Sequence, residues 1–354
     1  MKLIYSTLIA AVMTVALIFG IYFFDRMHNI HRDVDQVVLY LQWFDQAQFA
    51  GFYAADANGI YDKYDLKVRI VPRPRDASDW NVPQLISKQT GNEKAFGIWP
   101  GDQFLRQASN DNFQLRAVGA VFDKSLACFM VRDETGPNAI FGPNDFSGKK
   151  IGVFKDFDTE IIINWILHKY PPPGVAPTII SLTPADADKF LSKLQSGDVD
   201  VWPSYAITEP ILAKPLQTRL VTPSSINLHY YSDTVITSAA TLEQHRDVVE
   251  RFLEASEEGW RWALEHPHAA AISVVARDSK HLNLSQQEQM IAEIANYVNP
   301  TNPFFQMKEE TWKSTNDVLL EEQKVTQSFK SQLVDLAVAG DAHKKYHREA
   351  LASR

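Results

Sequence analysis

Short apolar runs alternate with longer amphipathic stretches from residue 37 onward, which is the pattern of an α/β protein. Residues 66–71 alternate apolar and polar side chains and predict a strand, and residues 178–182 predict another. Residues 82–90 have the 3.6-residue period of a helix, and Gly91 ends it. The apolar runs at 115–122 and 127–131 close this first series of elements. Strands that alternate with helices predict mainly parallel sheets covered by helices.

The alternation occurs in two blocks, which predicts two α/β lobes. The turn residues Gly142-Pro143-Asn144-Asp145 open the second block, and the chain returns to the first after residue 221. We therefore assign residues 31–132 and 222–354 to lobe 1 and residues 133–221 to lobe 2. Two crossing segments would join the lobes, with a hinge near residues 131–134 and 220–228. The ligand cleft would lie between the lobes, because open α/β sheets bind ligands beyond the carboxyl ends of their strands.

The N-terminal segment, residues 1–30, contains a stretch without charged side chains at residues 3–24. A helix needs about 20 apolar residues to cross the hydrocarbon core, so this stretch predicts one N-terminal transmembrane helix. It ends with the aromatic residues Tyr22, Phe23 and Phe24, as at a membrane interface. An uncleaved signal anchor is the favoured interpretation, and a cleaved signal peptide is the alternative.

The net charge argues against one kind of partner, and the cysteine content excludes one kind of cross-link. The chain carries 43 acidic and 35 basic side chains, a net charge of −8, which argues against a nucleic-acid partner. The single cysteine, Cys128, excludes an intramolecular disulfide. It lies in an apolar run, which favours a buried and inert thiol.

Aromatic side chains stand beside polar ones directly after six predicted strands. Such a combination suits a flat ligand that forms hydrogen bonds. Trp43, Trp99, Trp202 and Tyr231 are the predicted stacking surfaces. Carboxylates at the same ends are the predicted hydrogen-bond acceptors. The full set of candidate ligand-binding residues is Trp43, Gln46, Gln48, Trp99, Asp102, Asp123, Ser125, Asp158, Thr159, Trp202, Tyr205, Glu209, Tyr231 and Asp233.

Five segments in order carry a resemblance to a known family. They are Gln48-Phe49-Ala50-Gly51-Phe52-Tyr53, Phe146-Ser147-Gly148-Lys149-Lys150-Ile151-Gly152-Val153, Tyr205-x3-Glu209-Pro210, Tyr231-Ser232-Asp233-Thr234 and Gly259-Trp260-x-Trp262-Ala263-Leu264. In this order the chain resembles the SsuA/thiamine-pyrimidine-precursor family of ABC transporter substrate-binding proteins. Thr208 departs from the family's usual Asn. The resemblance implies a type II periplasmic-binding-protein fold and a solute-binding role.

The resemblance also argues against catalysis. Eukaryotic enzymes of the family place a Lys and a His two and six residues after the Gly of the third strand, where this chain has Trp99 and Gln103. Without the lysine amine there is no Schiff base. The pair His343-x3-His347 has helical metal-ligand spacing, but no third ligand is near in sequence. We predict no enzyme activity, no cofactor and no metal.

The predicted function is solute binding for ABC-type uptake of a small aromatic heterocycle. A pyrimidine precursor of thiamine is the first candidate ligand, and riboflavin or an alkyl sulfonate are alternatives. The alternative role is a sensory or scaffolding module that partners a membrane signalling protein. An ABC permease and the membrane are the expected partners besides the ligand. The expected location is the periplasmic or extracytoplasmic face of the cell membrane.

Overall fold

The computed structural model describes residues 33–77, 79–110, 114–122, 124–136, 138–155, 157–213, 216–226, 228–298 and 304–352. From Asp35 onward the chain forms one compact unit. The apolar stretch at residues 3–24 lies outside the described residues, and so does Asp123. Within the described ranges, no helix has the length and apolar character needed to cross a membrane.

Ten strands in the described residues form two five-stranded sheets. The strands are β1 (Asp35–Tyr40), β2 (Leu66–Val71), β3 (Lys94–Trp99), β4 (Leu115–Ala120), β5 (Ala127–Arg132), β6 (Lys150–Phe154), β7 (Thr178–Leu182), β8 (Val201–Tyr205), β9 (Thr218–Val221) and β10 (Thr234–Ser238). The first sheet has the order β2-β1-β3-β10-β4, and the second has the order β7-β6-β8-β5-β9. Three strands in each sheet are parallel to one another. The fold is therefore two α/β lobes with mixed sheets.

One antiparallel strand is inserted in each sheet. Strand β10 pairs antiparallel with β3 and β4, and β5 pairs antiparallel with β8 and β9. Each of them is the first strand after the chain crosses between the sheets. The assignment of residues 127–131 to lobe 1 is therefore wrong. An apolar run predicts a buried strand but not the sheet that the strand joins. That sheet is determined by the partner strands β8 and β9, which lie about 70 to 90 residues further along the chain.

The two crossing segments, residues 121–126 and 222–233, are hydrogen-bonded to each other. The Ser232 hydroxyl lies 2.8 Å from the Ser125 hydroxyl and accepts from the Leu126 amide at 2.9 Å. The Val121 amide donates to the Asp233 carbonyl at 2.9 Å. The first crossing thus precedes the predicted hinge at residues 131–134, because β5 already belongs to the second sheet.

Helices cover both sheets. Those of the described residues are α1 (Ala50–Ala57), α2 (Ile60–Lys63), α3 (Val82–Lys88), α4 (Gly101–Asn110), α5 (Asp158–Lys169), α6 (Phe190–Ser196), α7 (Glu209–Leu212), α8 (Ala239–Gln244), α9 (Arg246–Glu265), α10 (Pro267–Arg277), α11 (Leu284–Ile294), α12 (Glu309–Glu321) and α13 (Val338–Ala352). Helix α3 begins where Asn81 accepts from the Gln84 amide at 2.9 Å, which is an N-cap. Helix α6 is preceded directly by a 3-10 turn, Pro184–Lys189.

The long helix α9 anchors the core of the first lobe. Its Phe252 stacks on Phe96 of β3 with ring centroids 4.3 Å apart, and its Trp260 is fully buried. Helix α12 contacts both lobes, since it packs on α4 and α5. The Trp165 indole of α5 donates to Glu321 of α12 at 2.7 Å. The C-terminal part of the chain therefore connects the lobes in addition to the two crossings.

Candidate functional site

A cavity of about 690 Å³ lies between the two sheets. Its walls are formed by residues that follow the carboxyl ends of β1, β2 and β3 in one lobe and of β6 and β7 in the other, together with the end of β8. Parallel strands in an open sheet bring these ends to one edge, which is why the side chains converge. The volume is within the range of about 300–1,000 Å³ for sites that enclose a small ligand.

Aromatic side chains from both lobes meet at the cavity. The Trp43 ring lies 4.6 Å from Phe44 and meets the edge of Phe157, from the other lobe, at 5.8 Å. The Trp80 indole donates to the Leu41 carbonyl at 2.8 Å, which fixes its ring against β1. These contacts hold apolar surface in place on each side of the space where a flat molecule would bind.

Hydrogen bonds within the second lobe hold two carboxylates at the cavity. Asp158, the first residue of α5, accepts from the Tyr205 hydroxyl at 3.0 Å and from the Thr159 amide at 2.8 Å. Glu209 accepts from the Tyr205 amide at 2.9 Å and from the Ser204 hydroxyl at 3.0 Å. Both carboxylates are thus oriented before any ligand arrives.

Three buried aspartates, one from the second lobe and two from the first, influence one another. Burial, and then the neighbouring Asp102, raise the pKa of Asp158 to about 7. Burial also raises the pKa of Asp233 to about 7, against the opposing effect of hydrogen bonds from Gln48 and Gln42. Burial raises the pKa of Asp102, which Arg106 opposes. Burial thus favours the neutral form of all three carboxyls, and a hydrogen-bond donor on a ligand would stabilise their charged form.

Three cationic side chains line the same cavity and were missed by the sequence analysis: Arg73, Arg106 and Lys155. The Arg73 guanidinium lies 5.4 Å from the centroid of Trp43, and burial lowers its pKa. Lys155 directly follows β6, so its place at a strand end was a signal that could have identified it. Lysine and arginine side chains are usually exposed to solvent, so these three residues were not included among the candidate ligand-binding residues.

Eight predicted residues line the cavity: Trp43, Gln46, Gln48, Trp99, Asp158, Thr159, Tyr205 and Glu209. Asp102 and Asp233 are buried close by without lining it. Ser125 lies in the crossing segment, where it contacts Ser232. Asp123 lies outside the described residues.

Trp202 and Tyr231, two of the predicted stacking surfaces, do not line the cavity. Trp202 is fully buried among Phe154 and Phe190, because strand residues alternate between the faces of the sheet. The Tyr231 hydroxyl accepts from the Lys308 amide at 2.8 Å, and its ring packs on Trp312 at 5.4 Å. Both side chains pack in the protein interior.

Several lining residues carry buried polar atoms that have no hydrogen-bond partner within the described part of the chain. These atoms are Arg73 Nε, Trp99 Nε1, Gln107 Oε1 and Thr208 Oγ1. Unpaired buried polar atoms are costly, so they favour a ligand that pairs with them. The described lining contains neither histidine nor cysteine. Cys128 is fully buried in β5, and burial raises the pKa of its thiol.

A family model described as NMT1/THI5 like matches residues 46–270. The chain belongs to the NMT1/THI5-like family. The match spans both lobes and both crossings, and it confirms the resemblance stated above. No curated protein shows a significant match to the chain.

Solved structures share the fold of this NMT1/THI5-like chain at low identity. The periplasmic aliphatic sulphonate binding protein SsuA from Escherichia coli has a TM-score of 0.65 at 15% identity, covering 85% of this chain and 92% of its own. The alkanesulfonate-binding protein SsuA from Xanthomonas axonopodis pv. citri has a TM-score of 0.60 at 15% identity, covering 85% and 98%. The desulfurization enzyme DSZB has a TM-score of 0.60 at 15% identity, covering 88% and 99%. These likenesses establish the two-lobed fold, which both binding proteins and an enzyme adopt.

Proposed function

We propose that this protein is an extracytoplasmic solute-binding protein for ABC-type import. The observation that carries the proposal is the cavity of about 690 Å³ lined by both lobes at the ends of their strands. The two crossing segments give such lobes a means to close on a ligand. An ABC permease is the proposed partner, and residues 3–24 the proposed membrane anchor.

A small aromatic heterocycle is the ligand class that the cavity favours. Trp43 and Phe157 offer ring surfaces from opposite lobes. Asp158 is the acceptor for a ring or exocyclic N–H group, and the unpaired Gln107 Oε1 is a second acceptor. A pyrimidine precursor of thiamine has this combination of a flat ring and several N–H donors, and it is our first candidate.

An alkyl sulfonate is the second candidate, because Arg73, Arg106 and Lys155 line the cavity. Guanidinium and ammonium groups bind anionic oxygens through charge-assisted hydrogen bonds. The likeness to sulfonate-binding proteins supports the same choice. The two candidates differ in which charged residues would hold them, so they can be separated by experiment.

We also propose that the protein catalyses no reaction on its ligand. Cys128 is fully buried in β5 and does not line the cavity, so it is no nucleophile for a bound molecule. Trp99 and Gln103 line the cavity where the related synthases have their Lys and His. Recovery of unaltered ligand from the complex after prolonged incubation, checked by mass spectrometry, tests this proposal.

Thermal unfolding of the purified full-length chain tests the ligand class. The panel is formylaminopyrimidine, hydroxymethylpyrimidine, thiamine, riboflavin and an alkyl sulfonate. A ligand at 100 times its dissociation constant adds about 2.7 kcal/mol to the free energy of unfolding, which raises the melting temperature visibly. A shift with the pyrimidines alone supports the first candidate, and a shift with the sulfonate alone supports the second. If no compound of the panel raises the melting temperature, both candidate ligands are contradicted and the sensory or scaffolding role is favoured.

Paired variants identify the charge that holds the ligand. Asp158→Asn removes the charge of the acceptor, whereas Lys155→Gln removes a cation. A pyrimidine bound through its donors loses affinity in Asp158→Asn, and a sulfonate loses affinity in Lys155→Gln. Asp198→Asn and Lys67→Gln are the matched controls, because both side chains are exposed and outside the cavity. Equal affinity in test and control variants removes the residue from the site.

A further inference from the structure

Two carboxylates and an imidazole converge where α9 packs on the C-terminal helix α13. Glu254 and Glu257 are three residues apart on α9, so both project from one face of that helix. His343 of α13 points its Nδ1 at both: 3.9 Å from Glu254 Oε2 and 3.3 Å from Glu257 Oε1. One ligand atom from each residue lies within 4.8 Å of the other two. None of the three lines the cavity.

These separations suit donors that share one ion. Zinc bonds to imidazole nitrogen and carboxylate oxygen are about 2.1 Å long, which places two donors of a tetrahedral site about 3.4 Å apart. The contacts of His343 at 3.3 and 3.9 Å bracket that value. Small rotations of the glutamate side chains would bring the widest pair together. The set combines nitrogen and oxygen donors from two helices, which an ordinary surface cluster of acids does not.

The two carboxylates of the cluster are buried. Glu254 and Glu257 are only 4% and 3% exposed. Arg261 donates to Glu257 Oε1 from Nε at 2.9 Å and from Nη2 at 2.6 Å, so the guanidinium orients that carboxylate. A buried carboxylate is expensive unless it is paired or coordinates a metal.

We propose that Glu254, Glu257 and His343 bind one divalent transition-metal cation of the zinc type. Imidazole and carboxylate donors together favour Zn²⁺, Co²⁺ or Mn²⁺, whereas Ca²⁺ and Mg²⁺ prefer oxygen donors alone. On metal binding Arg261 would give up one of its two hydrogen bonds to Glu257 Oε1 and keep the other, which orients that carboxylate. Because the ligands come from α9 and α13, the ion fastens the C-terminal helix to the first lobe. With three protein donors, the fourth position of a tetrahedral ion would be open to water. The site does not depend on the proposed solute-binding function.

The sequence predicts no metal site because His343 lies far along the chain from the other two proposed ligands. The spacing His343-x3-His347 was noted, but no third ligand stood near it in sequence. The fold supplies Glu254 and Glu257 from a helix nearly 90 residues earlier. Only the packing of α13 on α9 brings these side chains together.

Zinc titration of the full-length, untagged chain by calorimetry tests the proposal. The chain is first treated with a chelator and desalted. We expect one equivalent of Zn²⁺ to bind and the melting temperature to rise. His343→Ala and Glu254→Gln should each lower zinc affinity by roughly 10- to 100-fold. Glu254→Gln keeps the shape of the buried side chain, so it remains informative where His343→Ala does not fold.

A matched histidine–carboxylate pair on the surface provides the control. His268 Nδ1 lies 2.9 Å from Glu288 Oε2, and both side chains are well exposed. His268→Ala and Glu288→Gln should bind zinc as the natural chain does.

Cobalt gives an independent readout, since bound Co²⁺ absorbs visible light and Glu254→Gln should abolish that band. The proposal is overturned if the natural chain binds no equivalent of zinc, or if His343→Ala and Glu254→Gln bind it unchanged. The cluster is then a hydrogen-bonded acid–imidazole group only.

Discussion

Gln48 donates from Nε2 to both carboxylate oxygens of Asp233, at 3.0 Å to Oδ1 and 2.8 Å to Oδ2. Gln48 lines the cavity after β1, and Asp233 ends the crossing that leads into β10. The Asp233 carbonyl in turn accepts from the Val121 amide of the other crossing at 2.9 Å. One wall of the cavity is therefore tied to both connections between the lobes. Movement of the crossings and the shape of the binding site are coupled through this pair.

Gln48→Ala should lower the free energy of unfolding by about 1–3 kcal/mol. The substitution removes two hydrogen bonds to the carboxylate of Asp233, which is buried and keeps its bond from Gln42. Loss of a partner from a buried polar group costs the desolvation of that group. Urea unfolding followed by tryptophan fluorescence measures the change.

Gln84→Ala is the matched control for this prediction. Gln84 is exposed on α3, and its truncation should change the stability by less than about 0.5 kcal/mol. Equal stability of Gln48→Ala and Gln84→Ala would show that the Gln48–Asp233 pair contributes nothing net.

The free energy of unfolding should fall as the pH rises from about 4 to about 7. Asp158 and Asp233 have a pKa of about 7 in the folded state, against an ordinary value of 3.8. The unfolded chain therefore loses these protons first, and the folded state is favoured below about pH 4 and progressively less above it. Asp158→Asn should make the decline shallower, because the amide does not ionise.

Urea unfolding at pH 4.5, 6 and 8 measures that slope. The comparison is with Asp198→Asn, since Asp198 is exposed in a loop and the variant should keep the natural slope. Asp186 acts in the opposite direction but below about pH 4, because hydrogen bonds from Thr183 lower its pKa to about 2. The difference between the two variants isolates Asp158. Parallel slopes would contradict the assignment.

Local elements of the fold were predictable from sequence, whereas sheet membership was not. The strands predicted at residues 66–71 and 178–182 coincide with β2 and β7. In β2, side chains alternate between polar and apolar, and this pattern indicates a half-buried surface within six residues. Residues 127–131 were identified as a strand but placed in the wrong lobe. Their hydrogen-bond partners in β8 and β9 lie far along the chain, and no local pattern encodes them.

The candidate site was predictable in position but not in charge. Polar and aromatic residues after the strands, such as Trp43 and Tyr205, do line the cavity. Trp202 was chosen by the same argument and faces away, because strand residues alternate between faces. Arg73 and Arg106 escaped notice because their position depends on the relative placement of loops and helices. The end of a strand indicates where a site lies, but the three-dimensional arrangement of the chain determines which side chains line it.

Trp43→Ala should lower affinity for hydroxymethylpyrimidine by roughly 5- to 100-fold if this compound is the ligand. Stacking of a base on an aromatic side chain contributes about 1–3 kcal/mol. Trp43 is half-buried at the cavity, and its removal should leave the fold intact. Trp262→Ala is the control, since Trp262 is also half-buried but stacks on His266 outside the cavity. Calorimetry measures both, and equal affinity of the two variants would remove Trp43 from the site.

Gly259→Ala should lower the free energy of unfolding by about 2 kcal/mol or more, because α9 and α1 approach too closely at this residue to admit a methyl group. A Cβ on Gly259 would lie 2.3 Å from the Gly51 carbonyl oxygen and 2.7 Å from the Ala55 Cβ. Backbone must move to relieve such overlap, and overpacking of this kind costs about 1–3 kcal/mol or more.

Gly340→Ala is the matched control within α13. Its Cβ would meet only Gln306 Nε2, at 3.8 Å, and alanine in a helix is favoured over glycine by about 0.5–1 kcal/mol. Urea unfolding should thus give midpoints displaced in opposite directions for the two variants. A Gly259→Ala midpoint equal to that of the natural chain would show that the two helices can separate at no cost.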